Sequence, residues 1–185
     1  LDTPQAVAIL SSEEIRSRGF RELGDIVRYT AGVNQSQGEG HRDSVVFRGV
    51  RSTADFYRDG LRDDVQYFRS LYNVEQVEVL RGPNALLFGR GGTGGLINRV
   101  TKKAMIGQSG GSFDAGSDTF GAFDVAADFN IQTSESSALR INAHRDSLEN
   151  HRNFYDGQRV GFNPTFRGPW VSKCVFSEVA DLHRT

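Results

Sequence analysis

The chain has 185 residues, enough for one ordinary domain, or a domain and a further piece, around a buried core. Its 22 basic and 23 acidic residues give a formal charge of −1, which excludes a nucleic-acid binder held by bulk positive charge. A lone Cys174 and 4 His exclude an internal disulfide and a thiolate metal site, and the longest apolar run, Ala6 to Leu10, is far short of the ~20 residues of a membrane-spanning helix.

The sequence starts at Leu1 with neither a basic nor an apolar leader region, so a signal peptide, if there is one, is expected to have been removed or to lie outside this sequence. Ser11 or Ser12 followed by Glu13, Glu14 and Ile15 predicts a capped helix that Gly19 stops. A second short helix is expected over Arg21 to Tyr29, where Leu23, Ile26 and Val27 share one face and Gly32 follows. Strands are expected at Ser44 to Arg48, Phe56 to Arg58, Val74 to Leu80 and Leu96 to Thr101, each apolar or aromatic and bounded by Gly or Asp. Together these make a small α+β domain. Residues 1–103 carry a net +2 and residues 104–185 a net −3, so the natural boundary lies between Thr101 and Gly111.

Beyond that boundary the texture changes to alternation. Phe123, Val125, Ala127 and Phe129 are apolar with Asp124 and Asp128 between them; Leu139, Ile141 and Ala143 alternate with Arg140, Asn142 and His144. Val160, Phe162, Pro164 and Phe166 alternate with Arg159, Asn163 and Thr165, and Ser112 to Ser117 reads as a weaker first member. Segments of about ten residues with period two are the pattern of transmembrane β-strands, and equally of a soluble antiparallel sheet with one wet face. The 21 Gly and 13 Phe fit tight turns and aromatic strands. The stretch from Trp170 to Phe176 lacks clean alternation.

The most conspicuous motif is glycine-rich. Gly89, Gly91 and Gly94 satisfy the dinucleotide fingerprint, but Leu96 to Val100 continues as a strand where that fingerprint must open a helix. A phosphate-binding P-loop fails too, because Gly95 and Leu96 stand where Lys and Ser or Thr are required. Hydrolytic chemistry has no nucleophile elbow, and Asp63 and Asp64, as neighbours on an extended chain, face opposite ways. His41 near Asp43 reads as a surface pair. Nothing points to an enzyme, a resident cofactor or a metal.

From Arg48 to Tyr72 the sequence packs Arg48, Arg51, Arg58, Arg62 and Arg69 beside Phe56, Tyr57, Tyr67, Phe68 and Tyr72. Permanent charge in fork geometry beside flat hydroxylated rings suits an anionic, aromatic or oxygen-rich ligand. The competing expectation is a solvated network in which the arginines pair with Asp55, Asp59, Asp63 and Asp64.

The order of Leu23-Gly24-Asp25-Ile26-Val27, Ala31-Gly32-Val33, Phe47-Arg48-Gly49, Tyr57-Arg58-Asp59-Gly60, Val77-Glu78-Val79-Leu80-Arg81-Gly82-Pro83 and Gly94-Gly95-Leu96-Ile97-Asn98-Arg99-Val100-Thr101 resembles the plug domain of TonB-dependent outer-membrane receptors. Asp59-Gly60-Leu61-Arg62-Asp63-Asp64 with Gln66-Tyr67-Phe68 resembles the ferric-siderophore branch. The resemblance covers residues 3–167. It implies an α+β plug, a small mixed sheet with short helices over 1–105, followed by the first antiparallel strands of an incomplete transmembrane β-barrel over 106–167 and an atypical, truncated or frame-disrupted tail over 168–185.

By that resemblance the function is ferric-siderophore binding and TonB-energised uptake across the outer membrane, with Arg48, Gln66, Tyr67 and Tyr72 as siderophore contacts. Arg81 and the glycine segment are architectural. The implied partners are the ferric siderophore, outer-membrane lipid and the TonB complex, the last through a box absent from this chain. The 82 residues after Lys103 are too few for the family's 22 strands, which need roughly 220 residues at about ten each. The alternative expectation is a soluble periplasmic plug that binds without transporting.

Overall fold

The computed structural model describes residues 6–36, 42–52, 55–82, 94–149, 156–169, 171–175 and 178–182. It divides into two units, Leu1–Thr101 and Lys102–Thr185. The first opens with β1 (Ala6–Ser11), then α1 (Ser12–Ser17) and α2 (Leu23–Arg28). Ser11 caps α1 by accepting from the Glu14 N–H at 3.3 Å, and Asp25 reaches back to accept from the Arg21 and Glu22 N–H groups ahead of α2. Both helices are shorter than two turns, so tertiary packing rather than helix propensity holds them.

Strands β2 (Val33–Ser36), β3 (Ser44–Phe47) and β4 (Val50–Ser52) form a three-stranded antiparallel sheet. Strands β5 (Phe56–Arg58), β6 (Leu61–Arg62), β7 (Val74–Arg81) and β8 (Gly95–Thr101) join β1 in a second sheet, ordered β1-β7-β8-β5-β6. It is mixed, because β5 runs parallel to β8 while its other pairs are antiparallel. Central β8 is buried along nearly its whole length.

Leu23, Ile26 and Val27 of α2 share one core with Val77 and Val79 of β7, Ile97 of β8, Phe47 and Phe56. Each fully buried aliphatic side chain contributes about 1.5–3 kcal/mol. The predicted i, i+3, i+4 face of α2 is the buried one. At Gly95 the chain leaves no room for a side chain: a Cβ there would stand 2.5 Å from the Leu80 carbonyl oxygen and 2.7 Å from the Phe47 ring.

The second unit is an antiparallel sheet of β9 (Gly110–Ser117), β10 (Phe123–Ser134), β11 (Ser137–Glu149) and β12 (Asp156–Gly168). Two further strands, β13 (Val171–Val175) and β14 (Glu178–Leu182), pair with the two halves of β12. Within the tail, β13 and β14 are therefore paired backbone despite the lack of alternation. Among the described residues the sheet is open, with β9 at one edge.

Its amphipathicity is inverted. Phe113, Phe129, Ile131 and Phe162, on the apolar face, are exposed, Phe162 by 50%, whereas Asn142 and Asn163 on the opposite face are 0% and 1% exposed. A soluble sheet with one wet face shows the reverse, with apolar side chains covered and polar ones in water. Chain division after Thr101 also has a local cause: the Lys102 ammonium lies 2.9 Å from Asp128 and the Lys103 carbonyl accepts from Arg140, both in the second unit.

Candidate functional site

The Arg and Tyr segment folds as two hairpins and an irregular strap. Phe47 and Val50 face each other across a two-residue turn, and Arg48 and Gly49 both take positive φ, 47° and 88°. Asp59 and Gly60 repeat this between β5 and β6, with φ of 51° and 80°. Asp-Gly suits such a turn, in which both central residues need left-handed backbone. The Asp59 carboxylate accepts from the Thr101 N–H and hydroxyl at 3.0 and 2.6 Å, while Gly60 N–H donates to Asn98 at 3.0 Å. Asp59 thus fastens the hairpin to β8.

These contacts separate the four expected ligand residues. Arg48 leaves the C-terminal end of β3, where its N–H donates to the Gly32 carbonyl at 3.3 Å. Arg81, at the C-terminal end of β7, donates to the neighbouring Ala31 carbonyl at 2.5 Å. Tyr67 and Tyr72 lie at the other end. The Tyr67 carbonyl accepts from the N–H of Asp43, just ahead of β3, and Tyr72 precedes Val74, the first residue of β7. Eight residues of β7 span about 23 Å. Gln66 is exposed, Tyr67 and Tyr72 are half-buried, and Arg48 is exposed at the far end of the sheet. The structure therefore gathers Gln66, Tyr67 and Tyr72 and leaves Arg48 out. The charge of Arg58 acts on Tyr72, Val65 adjoins Gln66 in the chain, and Arg58, Leu61, Arg62 and Val65 are all exposed.

Beneath this surface lies a charged cluster that residue order does not reveal. Arg69 is 1% exposed. Its guanidinium donates to the carbonyls of Asp63, Val65 and Tyr67 at 3.1, 2.7 and 3.2 Å and to the Asp63 carboxylate at 3.2 Å. It also lies 4.0 Å from the centroid of the Phe56 ring and 4.5 Å from that of Tyr67. The Arg69 backbone N–H donates to Asp43 at 2.9 Å. Arg99 of β8 donates to the same Asp63 carboxylate and to the Tyr67 hydroxyl, the latter at 3.0 Å, while that hydroxyl donates to Asp63 at 2.8 Å.

A network among the segment's own charges was one expectation; the observed one is buried rather than solvated, and two members, Asp43 and Arg99, come from outside residues 48–72. Of the segment's acids, Asp64 makes an exposed pair with Arg62 at 2.6 Å.

Burial and charge pull the two acids apart. Burial pushes the Asp43 carboxyl up from 3.8 to about 6, against the Arg69 N–H and charge that favour its ionised form. Its Oδ1 has no hydrogen-bond partner among the described residues. Burial also raises Asp63, but Arg69, Arg99 and the Tyr67 hydroxyl together outweigh it and hold that carboxyl below its usual range. Burial pushes the Tyr72 hydroxyl up to about 12, with the charge of Arg58 opposing and Tyr67 adding.

The polar face of the second unit holds two further ion pairs. Arg140 grips Asp128 through two bonds of 2.8 Å. Arg159 grips Asp146 at 2.5 and 3.0 Å, with His144 3.7 Å away. No group of three or more metal-ligating side chains occurs among the described residues, and the predicted glycine motif at 89–94 lies largely outside them.

The family model described as the TonB-dependent receptor plug domain matches residues 1–96. A probable TonB-dependent receptor, BfrD of Bordetella pertussis, is 34% identical over 90% of this chain, which covers 23% of that protein. A probable TonB-dependent siderophore receptor, PiuA of Acinetobacter baumannii, is 30% identical over 89% of the chain and 23% of its own length. The ferric-catecholate import receptor Fiu of Escherichia coli, in its closed crystal form, superposes with a TM-score of 0.82 at 25% identity, over 92% of this chain and 25% of that structure. The chain thus spans about a quarter of the length of the relatives it matches. Its architecture, a small mixed sheet with short helices followed by antiparallel strands, is that of a plug with part of a barrel.

Proposed function

The chain belongs to the TonB-dependent receptor plug family, and on that footing we propose that it supplies the plug and first barrel strands of an outer-membrane receptor for TonB-driven ferric-siderophore uptake. In this reading the plug, expected over 1–105, ends at the division after Thr101, the first barrel strands fill the expected 106–167, and β13 and β14 continue the pairing within 168–185. The observation that carries this reading is the inverted sheet. Exposed Phe113, Phe129 and Phe162 suit hydrocarbon, and the buried polar row of Arg140, Asn142 and Asn163 suits the inside of a barrel.

Ligand contact falls to the surface around Gln66, Tyr67 and Tyr72. There Leu61 and Val65 offer apolar area, Tyr67 a ring edge, Gln66 both a donor and an acceptor, and Arg58 and Arg62 positive charge for an anionic ferric complex. Arg48, at the opposite end of the sheet, stands outside this surface, so the charge assigned to it by resemblance passes to Arg58 and Arg62.

Residues 1–169 exchanged for the matching segment of Fiu, in an Escherichia coli strain lacking its own siderophore receptors, test the reading. Restored uptake of radioactive iron as an anionic ferric catecholate in preference to the cationic ferrioxamine B, lowered by Gln66→Ala and Tyr67→Ala, is the expected result. A surface-displayed, folded chimera that takes up neither complex refutes it. The first unit encloses its own apolar core, which favours as a second reading a soluble module that binds without transporting. Ferric-siderophore binding by the chain in buffer without detergent or membrane would establish that one.

A further inference from the structure

We propose that Arg69 is a positioning residue for the ligand-contacting strap, fixing the backbone of residues 63–67 and the Tyr67 ring from beneath. The proposal rests on the ligand surface assigned above. Residues 63–66 have no regular secondary structure, so their carbonyls must find partners outside a strand ladder. Arg69 provides them: one guanidinium donates to the carbonyls of Asp63, Val65 and Tyr67, alternate residues along the strap. The strap is wrapped around a single buried cation.

The same planar group lies over the Tyr67 ring at 4.5 Å and the Phe56 ring at 4.0 Å, so the orientation of Tyr67 is tied to core residue Phe56. Asp63 closes the arrangement from the side by bonding Arg69, Arg99 and the Tyr67 hydroxyl. Four of the guanidinium's five donors, set in a fixed fork, are used by this geometry. Lysine, with a compact ammonium and no plane, keeps the charge but cannot reach three carbonyls and stack on two rings. Gln66 sits between two carbonyls held in this way, those of Val65 and Tyr67, so its exposed amide inherits their position.

Two measurements on the whole chain in detergent micelles test the assignment. In the first, amide hydrogen exchange compares wild type with Arg69→Lys. Positioning predicts faster exchange confined to residues 62–68, with β7 and β8 unchanged; unchanged exchange in the strap, or acceleration throughout the first unit, overturns it. In the second, binding of ferrioxamine B and of a ferric tris-catecholate is titrated in a cycle of Arg69→Lys and Tyr67→Ala. Because Arg69 acts through the strap, Arg69→Lys should weaken binding about tenfold alone and have little further effect beside Tyr67→Ala. Fully additive losses, or wild-type affinity in folded Arg69→Lys, overturn the proposal. Absence of binding by wild type together with local loosening in Arg69→Lys would sink the siderophore reading while leaving Arg69 as the residue that holds the strap.

Discussion

Asp43 offers a quantitative check on the buried charge cluster. Burial lifts its carboxyl from 3.8 to about 6, with Arg69, Glu22 and Arg99 the charged groups that face it. A folded-state pKa above the unfolded one means the native state holds its proton more tightly. That stability is fully present below about pH 4 and is lost as pH rises through about 6. The shift of about two units corresponds to about 3 kcal/mol over the whole window, about 2 kcal/mol of it between pH 4 and pH 7. Asp63, with its pKa held low, acts in the opposite sense and in a different window, because its stability is lost only as pH falls below the usual carboxylate range.

Asp43→Asn keeps an oxygen to accept the Arg69 N–H and removes the titration. Amide exchange of β7 and β8, corrected for intrinsic rates, reports opening of the first unit. Relative to Asp43→Asn, wild type is expected to lose about 2 kcal/mol of protection from pH 4 to pH 7. Parallel profiles would refute the argument. A wild type that gains on the variant with rising pH would also refute it, showing that attraction to Arg69 exceeds the cost of burial.

Two further outcomes concern the second unit. Arg159→Met strands the buried Asp146 carboxylate and is expected to cost about 3–5 kcal/mol in urea unfolding in micelles, whereas the double variant with Asp146→Leu should recover most of it; equal instability of single and double variants would contradict the pair. Phe129→Lys puts a charge on the outward face and should shift transfer into lipid vesicles by about 2–4 kcal/mol if the residue lies near mid-bilayer, while Gln132→Lys on the polar parity should move it far less; equal partition of both would count against lipid on that face.

The elements legible in the sequence are those with a strong local period. Alternation locates β10, β11 and β12 closely, and Leu23, Ile26 and Val27 locate α2, because burial on one face imprints the pattern directly. Strand β1 leaves no such mark. Among the described residues it lies at the edge of its sheet and pairs with β7 alone, with Ala6 opposite Arg81, so its identity depends on a partner distant in sequence. Strands β2, β4 and β6 have four residues or fewer, too short for a period to show, and lack the apolar or aromatic run that marks the equally short β3 and β5.

The candidate site divides the same way. Abundance of Arg and Tyr between 48 and 72 was readable as composition, but composition places Arg48 beside Tyr67 when the β3 strand holds them apart. In the sequence Arg99 stands only as one position of the strand expected over Leu96 to Thr101. Its role comes from the pairing of β5 with β8, which sets Arg58 opposite Arg99 and lets the Arg99 side chain reach Asp63.

The inverted sheet also constrains the order of events by which such a chain enters a bilayer. No helix among the described residues is long and apolar enough to cross a membrane, and within β10 to β12 every apolar residue is followed closely by a polar one. A lone strand of this kind would bring unpaired N–H and C=O groups into hydrocarbon, each costing several kcal/mol. Its few outward side chains cannot offset a whole row of such groups. With β9 paired to β10 on one side and β13 and β14 to β12 on the other, the backbone groups of β10, β11 and β12 are met within the sheet, and on the proposed reading the aromatic face is the one that meets lipid. If these strands enter a bilayer as proposed, pairing must therefore precede or accompany insertion, so that the bilayer receives them as a sheet and never one by one.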